Sequence, residues 1–569
     1  MPYTSPVAEF QFLFDHVLGY SQLSQTELFS EAGNDVTEAI LTELGRLCDG
    51  VMAPLNQAGD LTPAVLENGI VRTSPGFKDG YQAIAEGGWL GLSANPEYGG
   101  MGLPQTLNTA MNEMMSGACL ALQLCPLLSQ GQIEALEHHA SDEIKALYLP
   151  KLTSGQWTGT MNLTEPQAGS DVGALRSKAV PNGDGSYSVT GQKIFITWGD
   201  HDVAENVCHL VLARLPDGAP GTRGISLFMV PKLIPDEAGN PGARNNLRVV
   251  SLEHKLGIHG SPTCVMSFEG AQGWMVGREN GGMAAMFTMM NNARLGVGAQ
   301  GIGVAEAAYQ HALAYAQDRK QGKTPLGEGA IIDHADVRRM LAMMKAEIFA
   351  ARAIALACGL AMDTARATDD GHWSARAALL TPIAKAHGTD IGCEVSSLGV
   401  QIHGGMGFIE ETGAAQYFRD ARITPIYEGT NGIQAMDLVG RKMMDGGETA
   451  FRLLQEVEDV AETARATLPD LAGPVWDAAE TLREATEWLV AQDPNDRNAG
   501  AVAYLRAFAR VLGGYYHLKA ALAAPGTARA RLARVFVDRI LPEHASLLVQ
   551  ARAGAAQLYA LSAEDLESA

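Results

Sequence analysis

The apolar periodicity of this chain changes character twice, and that order restricts the folds open to it. Up to about residue 158, apolar side chains recur at three- and four-residue spacing, as over 38–52, 107–127 and 142–149, the period of helices with one buried face. Glycine and proline loops, such as the one running from Glu97 to Pro104, break these helices. Between 159 and 275 the texture shifts to short β-rich runs over 187–197, 207–213 and 225–230, separated by Asp-Gly, Pro-Gly and Gly-Asn turns. Helical spacing then returns over 283–320, 333–368 and 372–398, with a last helix beginning near Gly429. The sequence therefore predicts a mainly α protein with a central β-domain, an α+β arrangement. Its expected parts are an N-terminal helical domain (1–158), a middle β-domain (159–275), a C-terminal helical bundle (276–446) and an additional Ala-rich helical domain (447–569).

A length of 569 residues exceeds what one core can organise and suggests three or four domains. Lys and Arg total 42 against 64 Asp and Glu, a net charge of −22 that opposes nucleic acid and anionic membrane surfaces as partners. A local basic pocket can still hold a nucleotide. The seven cysteines are scattered and never in a CxxC pair, so neither a zinc site nor a disulfide framework is indicated, and a reducing compartment is expected. The N-terminus lacks a basic segment followed by an apolar one, and no run of about 18 uncharged apolar residues occurs, so a soluble cytoplasmic protein is expected.

Four segments invite a chemical reading. Gly296, Gly298 and Gly301 satisfy GxGxxG, but the preceding residues read as helix where a dinucleotide fingerprint needs a strand, so close helix packing is the better account. The run Leu163-Thr164-Glu165-Pro166-Gln167-Ala168-Gly169-Ser170-Asp171 is a better phosphate loop, with Gly169 for unusual dihedrals and Ser170 for a hydroxyl and an amide. Farther on, period two places Phe195 and Thr197 on one strand face, an aromatic beside a hydroxyl that suits an isoalloxazine. Glu428 is a lone carboxylate between Tyr427 and Gly429. Its nearest charges along the chain are Arg422 and Asp437, so a raised pKa and a role as a base are expected; an ordinary turn with a solvated acid is the plainer alternative.

These blocks, with Arg319-Lys320-Gln321 at the end of one long helix and Gln401-Ile402-His403-Gly404-Gly405-Met406-Gly407-Phe408 before Glu428, resemble the acyl-CoA dehydrogenase family over residues 40–445. The resemblance implies FAD and an acyl-CoA substrate. It implies that Leu163 and Thr164 contact the flavin pyrimidine edge, that Gly169 and Ser170 hold the pyrophosphate, and that Thr197 faces N5. Phe195 stands where relatives commonly carry a flavin-stacking Trp. Arg319 and the loop with Gln401, Gly404 and Gly405 would reach the FAD of a neighbouring subunit, while Thr430 lies by the cofactor. Asn291 and Arg294 align with positions holding the CoA moiety; Ser170, Tyr427 and Gly429 would also border the substrate; Glu428 aligns with the catalytic base.

Three departures stand out: no phenylalanine follows Arg319 at the family's spacing, Gly432 replaces a frequent Gln, and the C-terminal helical extension is absent from the shorter members. The helical extension and the run from Tyr427 to Lys442 look most like family members acting on 3-(methylthio)propanoyl-CoA and allied broad-range bacterial enzymes, so that thioester is the expected substrate. Straight-chain acyl-CoA thioesters are the alternative, and an oxidase passing electrons to dioxygen or a non-catalytic scaffold are the rival readings. Met283, Met286, Met289 and Met290 crowd the helix leading to the CoA-contacting positions, which suits an irregular apolar ligand, although an ordinary core is the favoured account. The resemblance also implies an electron-transferring flavoprotein as acceptor, and the added helices favour a homodimer.

Overall fold

The computed structural model describes residues 3–326 and 329–568. Helices α1 (Val7–Leu13), α2 (Asn34–Leu47), α3 (Ala53–Leu61) and α4 (Phe77–Glu86) lead into the long α5 (Gln105–His139) and α6 (Asp142–Thr153). A hairpin of β1 (Val65–Glu67) and β2 (Ile70–Arg72) interrupts this helical region. Its turn is Asn68-Gly69, both with positive φ (51° and 75°), the pairing a two-residue hairpin loop selects. That signal is present in the sequence but lies inside a stretch whose wider periodicity is helical.

The middle region contains β3 (Trp157–Asn162), β4 (Lys178–Pro181), β5 (Tyr187–Thr197), β6 (Asn206–Arg214), β7 (Ile225–Pro231), β8 (Leu233–Pro235), β9 (Pro241–Arg244), β10 (Leu247–Leu252) and β11 (Thr263–Val276). Seven of them form one sheet in the order β10-β11-β5-β4-β6-β3, and β7 pairs with both β11 and β6, so the central strands close on themselves. Burial on both faces explains why β6 and β7 are almost continuously apolar.

The chain then forms α7 (Gly282–Asp318), α8 (Ala335–Thr368), α9 (Gly371–His403), α10 (Ala414–Ala421) and α11 (Asn431–Val439), with α5 packing against α7 and α8. The last helix starts at Asn431, two residues past the expected point, because the Thr430 hydroxyl caps it by accepting the Ile433 N–H. Gly298 and Gly301 are packing residues: a Cβ on them would lie 2.7 Å from the Ala384 carbonyl oxygen and 2.3 Å from that of Gly388. Glycine lets the α7 and α9 backbones touch. Of the described helices only α8 is long and apolar enough to cross a bilayer, and most of it is buried in this bundle.

Residues past 446 form α12 (Glu448–Ala464), α13 (Pro469–Val490), α14 (Pro494–Ala523), α15 (Ala528–Arg539) and α16 (Glu543–Ala551). The central α14 docks on α8 and α9 through ion pairs from Arg510 to Glu347 (2.7 Å) and from Arg506 to Glu394 (2.8 Å). The seven cysteines are free thiols, six of them buried.

Candidate active site

Glu428 projects from a tight turn between α10 and α11. The Tyr427 N–H donates to the Ile423 carbonyl (3.2 Å), and the Asn431 N–H donates to that of Pro425 (3.0 Å), closing the loop around the acid. Glu428 itself takes φ 55°, the left-handed region, followed by Gly429 at φ 80°. A non-glycine residue held there costs about 1–2 kcal/mol, which marks an imposed conformation. A side chain at 429 would meet the Gln434 amide nitrogen at 2.8 Å. That amide donates to the Glu428 and Gly429 carbonyls, both at 3.2 Å, and thereby holds the turn from inside α11. Among the described residues the Glu428 N–H has no acceptor, so it is free to meet a ligand oxygen.

Glu428 is half-buried, and its Oε2, fully buried, has no hydrogen-bond partner among the described residues. Burial pushes the Glu428 carboxyl up to about 7, against the opposing pull of Arg294 and then Lys385. Neither cation is near in sequence, and Arg422, a sequence neighbour, is exposed. Arg294, 6 % exposed on α7, lies 3.5 Å from the Asn291 amide oxygen and 3.6 Å from Asp437, and its buried Nε is unpartnered. Asn291, Arg294, Asp437 and Lys442 border a cleft of about 190 Å³ with Thr381 and Pro382 of α9. Lys385, Gln300, Gln434 and Asn431 are site residues that the sequence reading did not single out.

The expected site residues fall into three groups. Leu163, Thr164, Phe195 and Thr197 lie on paired segments: the Ile194 N–H donates to the Thr164 carbonyl (2.9 Å), and the buried Lys193 ammonium donates to the Leu163 carbonyl (2.9 Å). Gly169 and Ser170 follow directly on the Glu165–Ala168 turn and are exposed. The second group is Asn291, Arg294, Tyr427, Glu428, Gly429 and Thr430, described above. Trp198, at the end of β5, donates its indole N–H to the Ala121 carbonyl (3.1 Å), which seats the first group against α5. Two residues on, Gln123 contacts Gln300 (2.7 Å), whose amide oxygen accepts the Tyr427 hydroxyl.

The third group, Arg319, Gln401, Gly404 and Gly405, is gathered elsewhere. His403 stacks on Tyr315 with ring centroids 4.3 Å apart, so the loop and Arg319 share one end of α7 and α9. Arg319 follows Arg294 by 25 residues, about 37 Å along the helix, so it stands at the far end of α7 from Arg294.

The pairing of β5 with β11 slips between Met266 and Cys264 and Phe195 takes φ 60° in the bulge, yet Phe195 (59 % exposed) and the half-buried Thr197 lie on either side of the buried Ile196, away from the core. The four methionines of α7 pack with Trp157 and Tyr148 beneath the β-domain, where Met286 and Met289 are fully buried, which agrees with the favoured reading of them as core.

Among the described residues the hydroxyls of Thr164, Ser170 and Thr197 have no protein hydrogen-bond partner, and Glu428 Oε2 is buried and unpartnered. The sequence families described as acyl-CoA dehydrogenase N-terminal, middle and C-terminal domains match residues 38–156, 160–271 and 280–444, and one described as acetyl-CoA dehydrogenase C-terminal like matches 453–562. The chain is 47 % identical over 541 residues to the 3-methylmercaptopropionyl-CoA dehydrogenase of Ruegeria pomeroyi, covering 92 % of each. Among solved structures it resembles Caenorhabditis elegans ACDH-11 in complex with C11-CoA (TM-score 0.78, 20 % identity, 93 % of this chain and 91 % of that one). It also resembles a Bacillus anthracis acyl-CoA dehydrogenase complexed with FAD (TM-score 0.74, 21 % identity, 100 % and 95 %). The chain belongs to the acyl-CoA dehydrogenase family. It is a flavin-dependent oxidoreductase that uses FAD to dehydrogenate acyl-CoA thioesters.

Proposed function

We propose that the substrate is 3-(methylthio)propanoyl-CoA, converted to methylthioacryloyl-CoA, with Glu428 as the base that removes the α-proton. The observation that carries the base assignment is the Glu428 carboxylate with its buried, unpartnered Oε2. The substrate rests on the likeness to the Ruegeria pomeroyi enzyme, which extends through the C-terminal helices.

An α-proton of a thioester is too weakly acidic for a solvated carboxylate at neutral pH, so the site must strengthen the base and hold the developing enolate oxygen. Burial does the first. The Glu428 N–H, without an acceptor among the described residues, supplies a donor for the second. Arg294 and Asn291 orient the CoA portion beside the base, and Tyr427 shields it from water. Leu163, Thr164, Gly169, Ser170, Phe195 and Thr197 would hold FAD, with Thr430 beside it; when bound, FAD supplies the hydride acceptor for the β-carbon.

Arg319, Gln401, Gly404 and Gly405 serve the FAD of a second subunit in a homodimer, a reading supported by the separation of Arg319 from Arg294 along α7. An electron-transferring flavoprotein is the reoxidant and the cytoplasm the compartment.

Glu428→Gln tests the reading. The variant should keep its yellow FAD and bind acyl-CoA while anaerobic flavin bleaching slows by on the order of 10²–10⁴-fold; near wild-type bleaching would sink the base. Comparing kcat/KM for 3-(methylthio)propanoyl-CoA with butanoyl, hexanoyl and octanoyl thioesters tests the substrate, and a straight-chain thioester ahead by tenfold would replace it.

A further inference from the structure

Lys385 is fully buried on α9, in a stretch held against α7 by Gly298 and Gly388. Its ammonium donates to the Thr424 carbonyl (3.0 Å) and the Asn431 amide oxygen (2.9 Å). These acceptors bracket the turn that carries Glu428. Asn431 in turn donates to the Thr389 hydroxyl (3.0 Å) and the Asp390 carboxylate (2.7 Å), so one face of α9 grips both ends of the turn. A neutral side chain with two N–H donors would tie a turn equally well, and burying an ammonium without a direct carboxylate partner is costly. The property that distinguishes lysine here is its charge.

We propose that Lys385 is a positioning residue for Glu428, pinning the turn from behind and placing a cation at the back of the carboxylate. The proposal rests on Glu428 being the base. The groups that face Glu428 are Lys385 of α9, Arg294 of α7 and Tyr427 of the turn; Asp437 of α11 shares Arg294, while Asp390 faces Lys385 and Asp420 of α10 faces Tyr427. Burial brings the lysine down to about 7, opposed first by Glu428 and then by Asp390, while the acid is brought up to about 7. Glu428 and Lys385 therefore each favour the charged form of the other against the burial that opposes both. Arg294 stays charged throughout, so loss of Lys385 weakens the support of Glu428 and leaves part of it.

The test uses Lys385→Gln, which keeps two N–H donors and loses the charge, and Lys385→Met, which loses both. Holoenzyme is assayed by anaerobic flavin reduction as a function of pH. Both variants should shift the acid limb of kcat/KM upward by about one pH unit, the direction expected when an opposite charge is removed from a carboxylate. Met should also lower the plateau by about tenfold as the turn loosens, a change the Gln variant largely avoids. Acid limbs superimposable on wild type in FAD-loaded variants would overturn the proposal. If the Met variant does not accumulate, the Gln variant decides the matter. Glu428→Gln separates the two failures: bleaching that persists in it refutes the base itself, whereas its loss together with unshifted Lys385 variants refutes only the role of the lysine.

Discussion

Tyr427 donates its hydroxyl to the Gln300 amide oxygen, tying the residue before the base to the middle of α7. Gln300 donates onward to Gln123 (2.7 Å), and Gln123 to Asn112 (2.9 Å), both on α5. Gln300 and Gln123 are fully buried and Asn112 nearly so. A relay of satisfied buried amides permits one arrangement and penalises any other, because a displaced member strands a polar group away from water. The turn bearing Glu428 is thereby braced from three sides: by Gln300 through Tyr427, by Gln434 through the turn carbonyls, and by Lys385 through Thr424 and Asn431.

Removing the phenol hydroxyl should therefore be felt as stability and as rate. Tyr427→Phe leaves the Gln300 oxygen without that donor and should cost about 1–3 kcal/mol, read from denaturant unfolding, with a fall in kcat/KM. Gln300→Leu strands both Tyr427 and Gln123. The double variant should lose less than the sum of the two, with a coupling of about 0.5–3 kcal/mol.

The raised carboxyl of Glu428 has a sign that can be checked in unfolding. Folding lifts it from 4.5 to about 7, so between these values the folded state holds a proton that the unfolded state has released. Its contribution is fully present below pH 4.5 and is lost as pH rises through 7, a penalty on the order of 3 kcal/mol at 1.36 kcal/mol per unit. Glutamine mimics the neutral acid at every pH. Glu428→Gln holoenzyme should melt close to wild type at pH 4.5 and above it at pH 8; a gap that shrinks with rising pH would contradict the burial account.

Arg510 joins the C-terminal helices to the bundle, bonding Glu347 of α8 (2.7 Å) and Glu543 of α16 (2.7 Å). Burial pushes Glu347 up to about 7 despite that cation. Arg510→Met should strand the acid and cost about 3–5 kcal/mol, with earlier proteolytic cleavage beyond residue 446. Adding Glu347→Gln removes the uncompensated charge and should restore most of the loss, measured as the Tm of the pair against the single variant.

The order of helical and strand regions was legible because periodicity is local: a 3.6-residue repeat and a two-residue alternation are written in consecutive side chains. The Asn68-Gly69 hairpin was equally written but outweighed by its helical surroundings. The bulge at Phe195 was not, since it arises from register against β11, some 70 residues later. At the site, Tyr427-Glu428-Gly429 displays a lone acid in sequence, whereas the groups around it come from α7 and α9. Lys385 sits mid-helix among alanines with no motif to mark it. Lys385 reaches the turn because α10 and α11 pack directly on α9, and the glycines of α7, read as helix packing, meet α9 at the same level.

Separation along α7 makes a last prediction about assembly. Arg319 is exposed, has no ion-pair partner among the described residues, and lies about 37 Å from Arg294 along α7, a separation that favours service to a second subunit. If it grips the FAD of a second subunit, Arg319→Ala should weaken FAD binding by about 10–100-fold, the loss of one charge-assisted hydrogen bond. A mixture decides between the two arrangements. When Arg319→Ala and Glu428→Gln subunits are co-expressed and the heterodimer isolated with two affinity tags, one site combines an intact Glu428 with Arg319 from the other chain. Service between subunits predicts about half of wild-type activity at limiting FAD from two variants that are each impaired alone. Service within a subunit predicts no recovery, because every site then carries one of the two lesions.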